Sequence, residues 1–425
     1  MSSEPALPTD LPCLPEGWEW RPLESYVCND RGICYGIVQP GEAVPDGVPF
    51  VRVKDFQDSR VSLESAKCVA PSVEAGYSRS RLQGGEILLS LVGTLGLVAV
   101  APVEFAGSNV ARAVGVIPVD IETARFVAIC LRSEVAQRYI KRWATTTVQA
   151  TLNLRDVKHL PIPHPPLPER QGIASIFNAL DDKIELNRKM NRTLGEIAQA
   201  IFKSWFINFD GVPPEDLVGS EVGPIPVAWS VGSLKDVAEH IRDTVQPGSL
   251  DSDTPYVGLE HVPRRCATLD TWGTASDVTS AKARFEHGDV LFGKLRPYFH
   301  KVVPAPCSGI ASTDILVIRP KSESWHPFVF CHLFSDPMIA HASAATDGTK
   351  MPRTKWTDLC RFPVAMPPAN MAARFECVVT PIFKRMVANM RESRTLVELR
   401  DTLLPKLISG EIRVPEAGQA LEATA

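Results

Sequence analysis

The chain has no run approaching the ~18 consecutive apolar residues that a membrane-spanning helix needs. Its opening stretch, "MSSEPALPTDLPCLP", lacks a basic start and an apolar core. It therefore reads as a loose leader rather than a secretory signal, and a cytoplasmic location is expected. Ten cysteines are scattered without a C-x-x-C pair, which suits reduced thiols better than a disulfide frame or a zinc site. No G-x-G-x-x-G follows a strand, and G-x-S-x-G and H-E-x-x-H are missing too. "GDVLFGKL" (Gly288–Leu295) approaches a phosphate loop, but Leu295 stands where the magnesium-binding hydroxyl belongs. The nine histidines are spread thinly. Asp181 and Asp182 read as acids at a helix start, where the dipole favours them. No catalytic residue and no metal-ligand set is nominated. With 45 Lys and Arg against 49 Asp and Glu, the net charge is −4. That is not the balance of a strongly basic nucleic-acid binder, so any phosphate contact must come from local patches.

What the chain does have is itself, twice. "KIELNRKMNRTLGEIA" (Lys183–Ala198) aligns without a gap on "RMVANMRESRTLVELR" (Arg385–Arg400) at a shift of 202, from 385 − 183. Upstream, "LPIPHPP" faces "FPVAMPP" at that same shift, and "PEGWEWRPL" faces "PVAWSVGSL" at 211, from 226 − 15. Collinear blocks of this kind imply two tandem copies of one unit. With 425 residues the chain is also too long for one ordinary core. Each copy begins as mixed α/β. Short β-rich runs such as "EILLSLVGTLGLVAVAP" and "DVLFGKLRPYFHKVVP" accompany helical ones such as "ARFVAICLRSEVAQRYIKRWA". "PIPHPPLPER" reads as a stiff hinge.

After that hinge the pattern becomes heptad-like. One row holds Ile173, Leu180, Asn187, Leu194 and Ile201; its repeat holds Phe375, Ile382, Asn389, Leu396 and Leu403. A second row, three residues later, holds Ile176, Lys183, Met190, Ile197 and Ser204, and in the repeat Val378, Arg385, Glu392, Leu399 and Lys406. Such seams seek another helix, and an Asn in each seam fixes register. The helix-pairing residues are thus Ile173, Leu180, Asn187, Leu194, Ile201, Ile382, Asn389, Leu396 and Leu403. Pro381 marks a start or kink of the second arm, and Pro405 its end. Two such arms of ~35 residues, each roughly 50 Å long, are expected to pair antiparallel. The plainer reading packs each seam on its own globular part.

The candidate nucleic-acid contacts lie in matched loops. In the second copy they are Lys294, Arg296, Tyr298 and Lys301 of "KLRPYFHK" and Lys350, Arg353 and Lys355 of "DGTKMPRTKW". In the first copy they are Thr94, then Thr145, Thr146, Thr147, Gln149, Asn153 and Arg155 of "TTTVQATLNLR". Arg and Lys contact phosphate or guanine, and Gln and Asn can read adenine. One loop in two chemical versions is what two different base preferences would require. The plainer reading is an ordinary solvated loop.

At "LPIPHPPLPERQGIASIFNALDDKIELNRKMNRTLGEIAQAIFKSWFINFD" the sequence resembles the specificity subunit of type I restriction-modification enzymes. "LRDTLLPKLISGEI" is similar to that family's C-terminal helical region and "PEGWEWRPL" to the start of its recognition domains. The second copy departs from the pattern, lacking the charged "PER" entry and gaining Pro381.

The resemblance implies an α/β (α+β) chain with two target-recognition domains, 1–165 and 211–369, separated by two antiparallel coiled-coil helices. These arms would be 166–210 and 370–412, with a flexible tail at 413–425. It also implies a non-catalytic subunit that reads an asymmetric, interrupted double-stranded DNA target. S-adenosylmethionine would act on two modification subunits, and ATP and magnesium on restriction subunits. Two other readings compete. A coiled-coil scaffold would bind protein or nucleic acid with no restriction-modification role. A standalone methyltransferase or NTPase would bind S-adenosylmethionine or ATP by itself.

Overall fold

The computed structural model describes residues 7–28, 31–57, 59–64, 66–144, 150–246, 248–345 and 351–422. Two compact units emerge, residues 1–182 with 396–425, and residues 183–395. Each unit contains a mixed α/β head and one stretch of each long helix.

The two heads each contain a sheet of the same topology. In the first unit an antiparallel sheet runs Cys34–Tyr35, Val114–Ile117, Ile87–Ser90, Val98–Val100. In the second the same order reads Ala238–Ile241, Ile315–Pro320, Val290–Gly293, Val302–Pro304. The central strands Ile87–Ser90, Val114–Ile117 and Val290–Gly293 are buried at every residue, and Ile315–Pro320 over its first four, which explains their continuous apolar runs. A second sheet has a parallel pair in each head: Val48–Val51 with Asn109–Val110, and Pro255–Val257 with Gly309–Ala311. Lys67–Val69 flanks the pair in the first head and Gly273–Thr274 in the second, where Thr244–Val245 and Lys282–Phe285 enlarge the sheet to five strands.

The segment expected as a stiff hinge is partly a strand. Pro161–His164 pairs antiparallel with Glu19–Pro22, and its repeat Pro363–Met366 pairs with Ser230–Ser233. Proline is tolerated because each is a two-stranded ribbon with an open edge. The expected helical run 124–144 is two helices, Ile121–Arg132 and Glu134–Trp143. The Ser133 hydroxyl caps the second of them by accepting the Ala136 amide.

The long helices are Leu167–Lys203 and Ala369–Ser409. The second starts just after Pro367–Pro368, continues through Pro381 and does not stop at Pro405. It stops at Gly410, whose φ of 72° suits the left-handed position that ends a helix. Asp181 and Asp182 consequently lie in mid-helix, not at a start. Residues 413–425 were expected to form a flexible tail, yet Val414–Glu422 is helical and Ala417 is buried.

The arms pair antiparallel, as opposed ion pairs and amide contacts show. In the first unit Asp181 binds Arg400 at 3.1 Å and Glu169 binds Arg413 at 2.7 Å. In the second, Lys183 binds Glu392 at 3.1 Å and Asn191 donates to the Met386 carbonyl at 3.1 Å. The arms also pack on the heads. Ile173 and Phe177 share a core with Leu403, Leu407 and the first head, while Phe202 and Phe375 share one with Phe328 of the second. The plainer expectation of arms on heads is therefore met alongside pairing.

One row of the seam moves. The buried partners of Ile173, Leu180 and Asn187 lie four residues on, at Phe177, Ile184 and Asn191. The row three residues on turns outward, with Ile197 42% and Val378 43% exposed. Rows at three and four residues flank the same helix face. The true row carries Asn191, Ser393 and Arg400, whose polarity disguises it as surface.

At its centre Asn187 donates to Ser393 Oγ at 3.3 Å, and Asn389 donates to Asn191 Oδ1 at 2.9 Å. Exchanging the copies turns one contact into the other, since 187 + 202 = 389 and 191 + 202 = 393. The duplicated stretch thus contacts itself about a local two-fold.

Candidate nucleic-acid interface

Each head joins its two candidate segments by the same backbone clamp. In the second head the turn after Val290–Gly293 bonds to the segment before the short helix Trp356–Leu359. The Arg296 amide donates to the Pro352 carbonyl at 2.8 Å, and the Thr354 amide to the Lys294 carbonyl at 3.0 Å. Leu295 and Arg353 form the antiparallel bridge between them. In the first head the Gly93 amide donates to Ala150 at 3.1 Å, the Leu152 amide to Leu91 at 2.9 Å, and Val92 bridges Thr151. "KLRPYFHK" and "MPRTKW", far apart in sequence, are therefore neighbours.

What the clamp presents differs between heads. Arg296 has φ 50° and His300 φ 52°, in a region that non-glycine residues rarely occupy. The first head places Gly93 and Gly96, both at φ 81°, at the matching turn positions. The second head therefore holds side chains where the first has none. Arg265, also at φ 50°, donates its amide to the His300 carbonyl at 2.9 Å. Three of the four positive-φ non-glycine residues among those described thus meet here. Such strain costs on the order of 1–3 kcal/mol per residue and gathers at functional sites.

The candidates divide by environment. Tyr298 is 53% exposed and meets the Phe299 ring edge-on at 4.9 Å. Lys355 is exposed at the start of its short helix. The Arg353 guanidinium lies 3.3 Å from Asp314 and remains half exposed. The charge of Lys294 is felt at His240. Burial, together with Arg242 and Lys294, holds that imidazole below its usual range.

Lys301 is different. Its ammonium is tied to the Leu259 carbonyl, and burial followed by the nearby Arg264 pushes its pKa down. It braces the loop instead of facing solvent. In the first head Thr94, Asn153 and Arg155 are exposed, and Asn153 reaches Asp156 at 3.5 Å. Thr145, Thr146, Thr147, Gln149 and Lys350 lie outside the described residues.

Other residues belong to the cluster. Arg264 lays its guanidinium 3.8 Å from the Phe299 ring centroid, a cation–π stack beside Tyr298. The basic "PRR" at Pro263–Arg265 was the available signal for it. In the first head Tyr35 Oη accepts the Leu154 amide at 3.4 Å. Tyr35 pairs with Gly115, and the matching register in the second head falls at Arg242, just past Ile241, which pairs with Val317. Only the strand register reveals that equivalence. Among the described residues no group of three or more His, Cys, Asp or Glu could hold a metal ion, and no helix is long and apolar enough to cross a membrane.

Comparisons with known proteins agree with this architecture. Residues 42–196 match the family model of the type I restriction modification DNA specificity domain. The type I restriction enzyme MjaIX specificity subunit of Methanocaldococcus jannaschii is 24% identical over 96% of both chains. The EcoBI specificity subunit of Escherichia coli is 31% identical over 43% of this chain and 39% of its own. The crystal structure of a type I restriction-modification S subunit from M. genitalium superposes with a TM-score of 0.51 at 16% identity, covering 95% of this chain and 97% of that one. With two repeated α/β heads and paired antiparallel arms, the chain is similar to the specificity subunits of type I restriction-modification systems.

Proposed function

We propose that this chain reads an asymmetric, interrupted double-stranded DNA target, with one head contacting each half. The observation that carries this reading is the clamp, which has one backbone form in both heads and different side chains on it. The second head offers Arg242, Arg264, Lys294, Arg296, Tyr298, Arg353 and Lys355, a set suited to phosphate and guanine. The first offers Tyr35, Thr94, Asn153 and Arg155, a more polar and less charged set. In the domain division that goes with this reading, recognition domains span 1–165 and 211–369, and the arms span 166–210 and 370–412.

The chain performs no chemistry in this scheme. Two modification subunits, carrying S-adenosylmethionine, methylate adenines that they flip from the duplex. Restriction subunits use ATP and magnesium to translocate and cleave. The net charge of −4 supports a subunit that binds DNA well only inside its complex, where partners add phosphate contacts. The complex works in the cytoplasm.

The test reconstitutes the chain with its modification subunits and sequences the methylated DNA. A single two-part motif is expected, and exchanging residues 1–165 for those of a relative changes only one part. Equal affinity for random and methylated-motif duplexes would overturn the reading in favour of a general scaffold.

A further inference from the structure

The second head contains a pocket that is not part of the clamp. It encloses about 270 Å³ and is lined by Val245, Gly248, Leu250, Ser252, Ala275, Ser276, Val278, Ser280, Lys282 and Ile310. Its walls come from the strands that enlarge the second sheet, Thr244–Val245 and Lys282–Phe285, which have no counterpart in the three-stranded sheet of the first head.

Lys282 gives the pocket its chemistry. It is only 8% exposed. Its ammonium donates to the Ser280 carbonyl at 2.9 Å and the Ser280 hydroxyl at 2.6 Å, and sits 5.9 Å from the Tyr256 ring centroid. All of these partners are neutral. No described carboxylate pairs with it, although exposed Arg284 two residues on does have one, Asp243 at 3.3 Å. An ammonium has three donors, and two are used. A buried cation without a counter-charge is costly, and a bound anion would remove that cost. Ser252 and Ser276 add hydroxyls to the same wall. The volume lies just under the ~300 Å³ at which drug-sized ligand pockets begin, so the ligand is small.

We infer that this pocket binds a phosphate group through Lys282 and the serines around it. The group is either free phosphate or a backbone phosphate of nucleic acid, and this assignment stands apart from the target-reading role of the clamp. The experiment uses the full-length chain. Thermal unfolding is followed against inorganic phosphate, with chloride at matched ionic strength as control.

A saturable rise in Tm specific to phosphate is expected, and Lys282→Met should abolish it. A response that is non-saturable, or unchanged in Lys282→Met, overturns the assignment. If Lys282→Met does not fold, Ser276→Glu decides, because it supplies an internal carboxylate. It should raise Tm without phosphate and remove the phosphate response, and an undiminished response overturns the assignment. Duplex binding then separates the sources. For a backbone phosphate, Lys282→Met lowers the salt slope of log K by about 0.9, whereas for free phosphate the slope is unchanged.

Discussion

Asp181 is a group whose removal should destabilise the first unit. Its carboxylate accepts from Arg132 and Arg400, each at 3.1 Å, and from the Ser59 hydroxyl at 3.2 Å. Burial works against its charge, but Arg132 and Arg400 outweigh burial and lower its pKa. Asp181→Ala leaves Arg132 without its ion-pair partner, while Arg400 keeps Asp401 at 2.9 Å. Stranding a fully buried partner costs 3–5 kcal/mol. Both arginines keep over a fifth of their side-chain surface, so about 2 kcal/mol is the working figure.

The second unit solves the same place without charge. Ser133 and Ser335 cap equivalent helices, so Arg132 matches Phe334, Asp181 matches Phe383 and Arg400 matches Ala198. There Phe330 lies between Phe383 at 5.3 Å and Phe334 at 5.5 Å. The triple variant Arg132→Phe, Asp181→Phe, Arg400→Ala should therefore recover most of the loss, to within ~1 kcal/mol of the parent. Hydrogen exchange under increasing urea, read separately for peptides of each unit, measures both. If the triple variant is as unstable as Asp181→Ala, or if Asp181→Ala leaves the first unit unchanged, the reasoning fails.

Arg353→Ala should relax recognition in one half of the methylated motif and leave the other intact, as read by sequencing of modified DNA; loss in both halves would contradict the division between heads. Lys301→Met should lower the stability of the second unit while leaving the salt dependence of duplex binding unchanged, because its ammonium is committed to the Leu259 carbonyl. His332 is caged by Phe202 at 4.7 Å and Phe328 at 4.5 Å, and burial pushes its pKa down to about 3. Its folded pKa lies below the unfolded ~6.5, so its contribution is complete above pH ~6.5 and lost as pH falls toward 3, the loss amounting to about 2 kcal/mol by pH 5. His332→Phe should accordingly move the acid unfolding of the second unit to lower pH, which pH-jump fluorescence would detect.

The duplication was legible because aligned residues such as Asn187 and Asn389 keep their places in a helix whose period the sequence records directly. The seam's second row was not. Asn191, Ser393 and Arg400 face inward only because each finds a polar partner on the other arm, and a partner 200 residues away leaves no local trace. For the same reason Asp181 read as a helix-start acid when it is a mid-helix clamp. Strands as short as Cys34–Tyr35, or as proline-rich as Pro161–His164, carry too few residues to show a period of two. In the candidate interface, composition pointed to Arg296 and Arg353. Their meeting depends on backbone bonds between Lys294–Arg296 and Pro352–Thr354, which no side-chain pattern encodes. Arg242 and Tyr35 could be found only through strand register.

The two copies have been kept alike and allowed to differ in a consistent division. Contacts made by backbone atoms, such as the clamp at Gly93 and Arg296, keep one geometry in both heads, because an amide and a carbonyl are present whatever the side chain. Contacts made by side chains have diverged, with Arg–Asp–Arg in one unit and Phe–Phe–Ala in the other. The exception is the centre of the arms, where Asn187, Asn191, Asn389 and Ser393 remain polar in both copies. There each copy is the other's partner, so an apolar change on one side strands a buried amide on the other. Divergence is therefore free where a contact and its repeat lie in different units, as Asp181–Arg400 and Phe383–Ala198 do, and constrained at the centre of the arms, where a contact and its repeat adjoin. Such a chain can change what each head presents on the clamp without disturbing the register that holds the arms together.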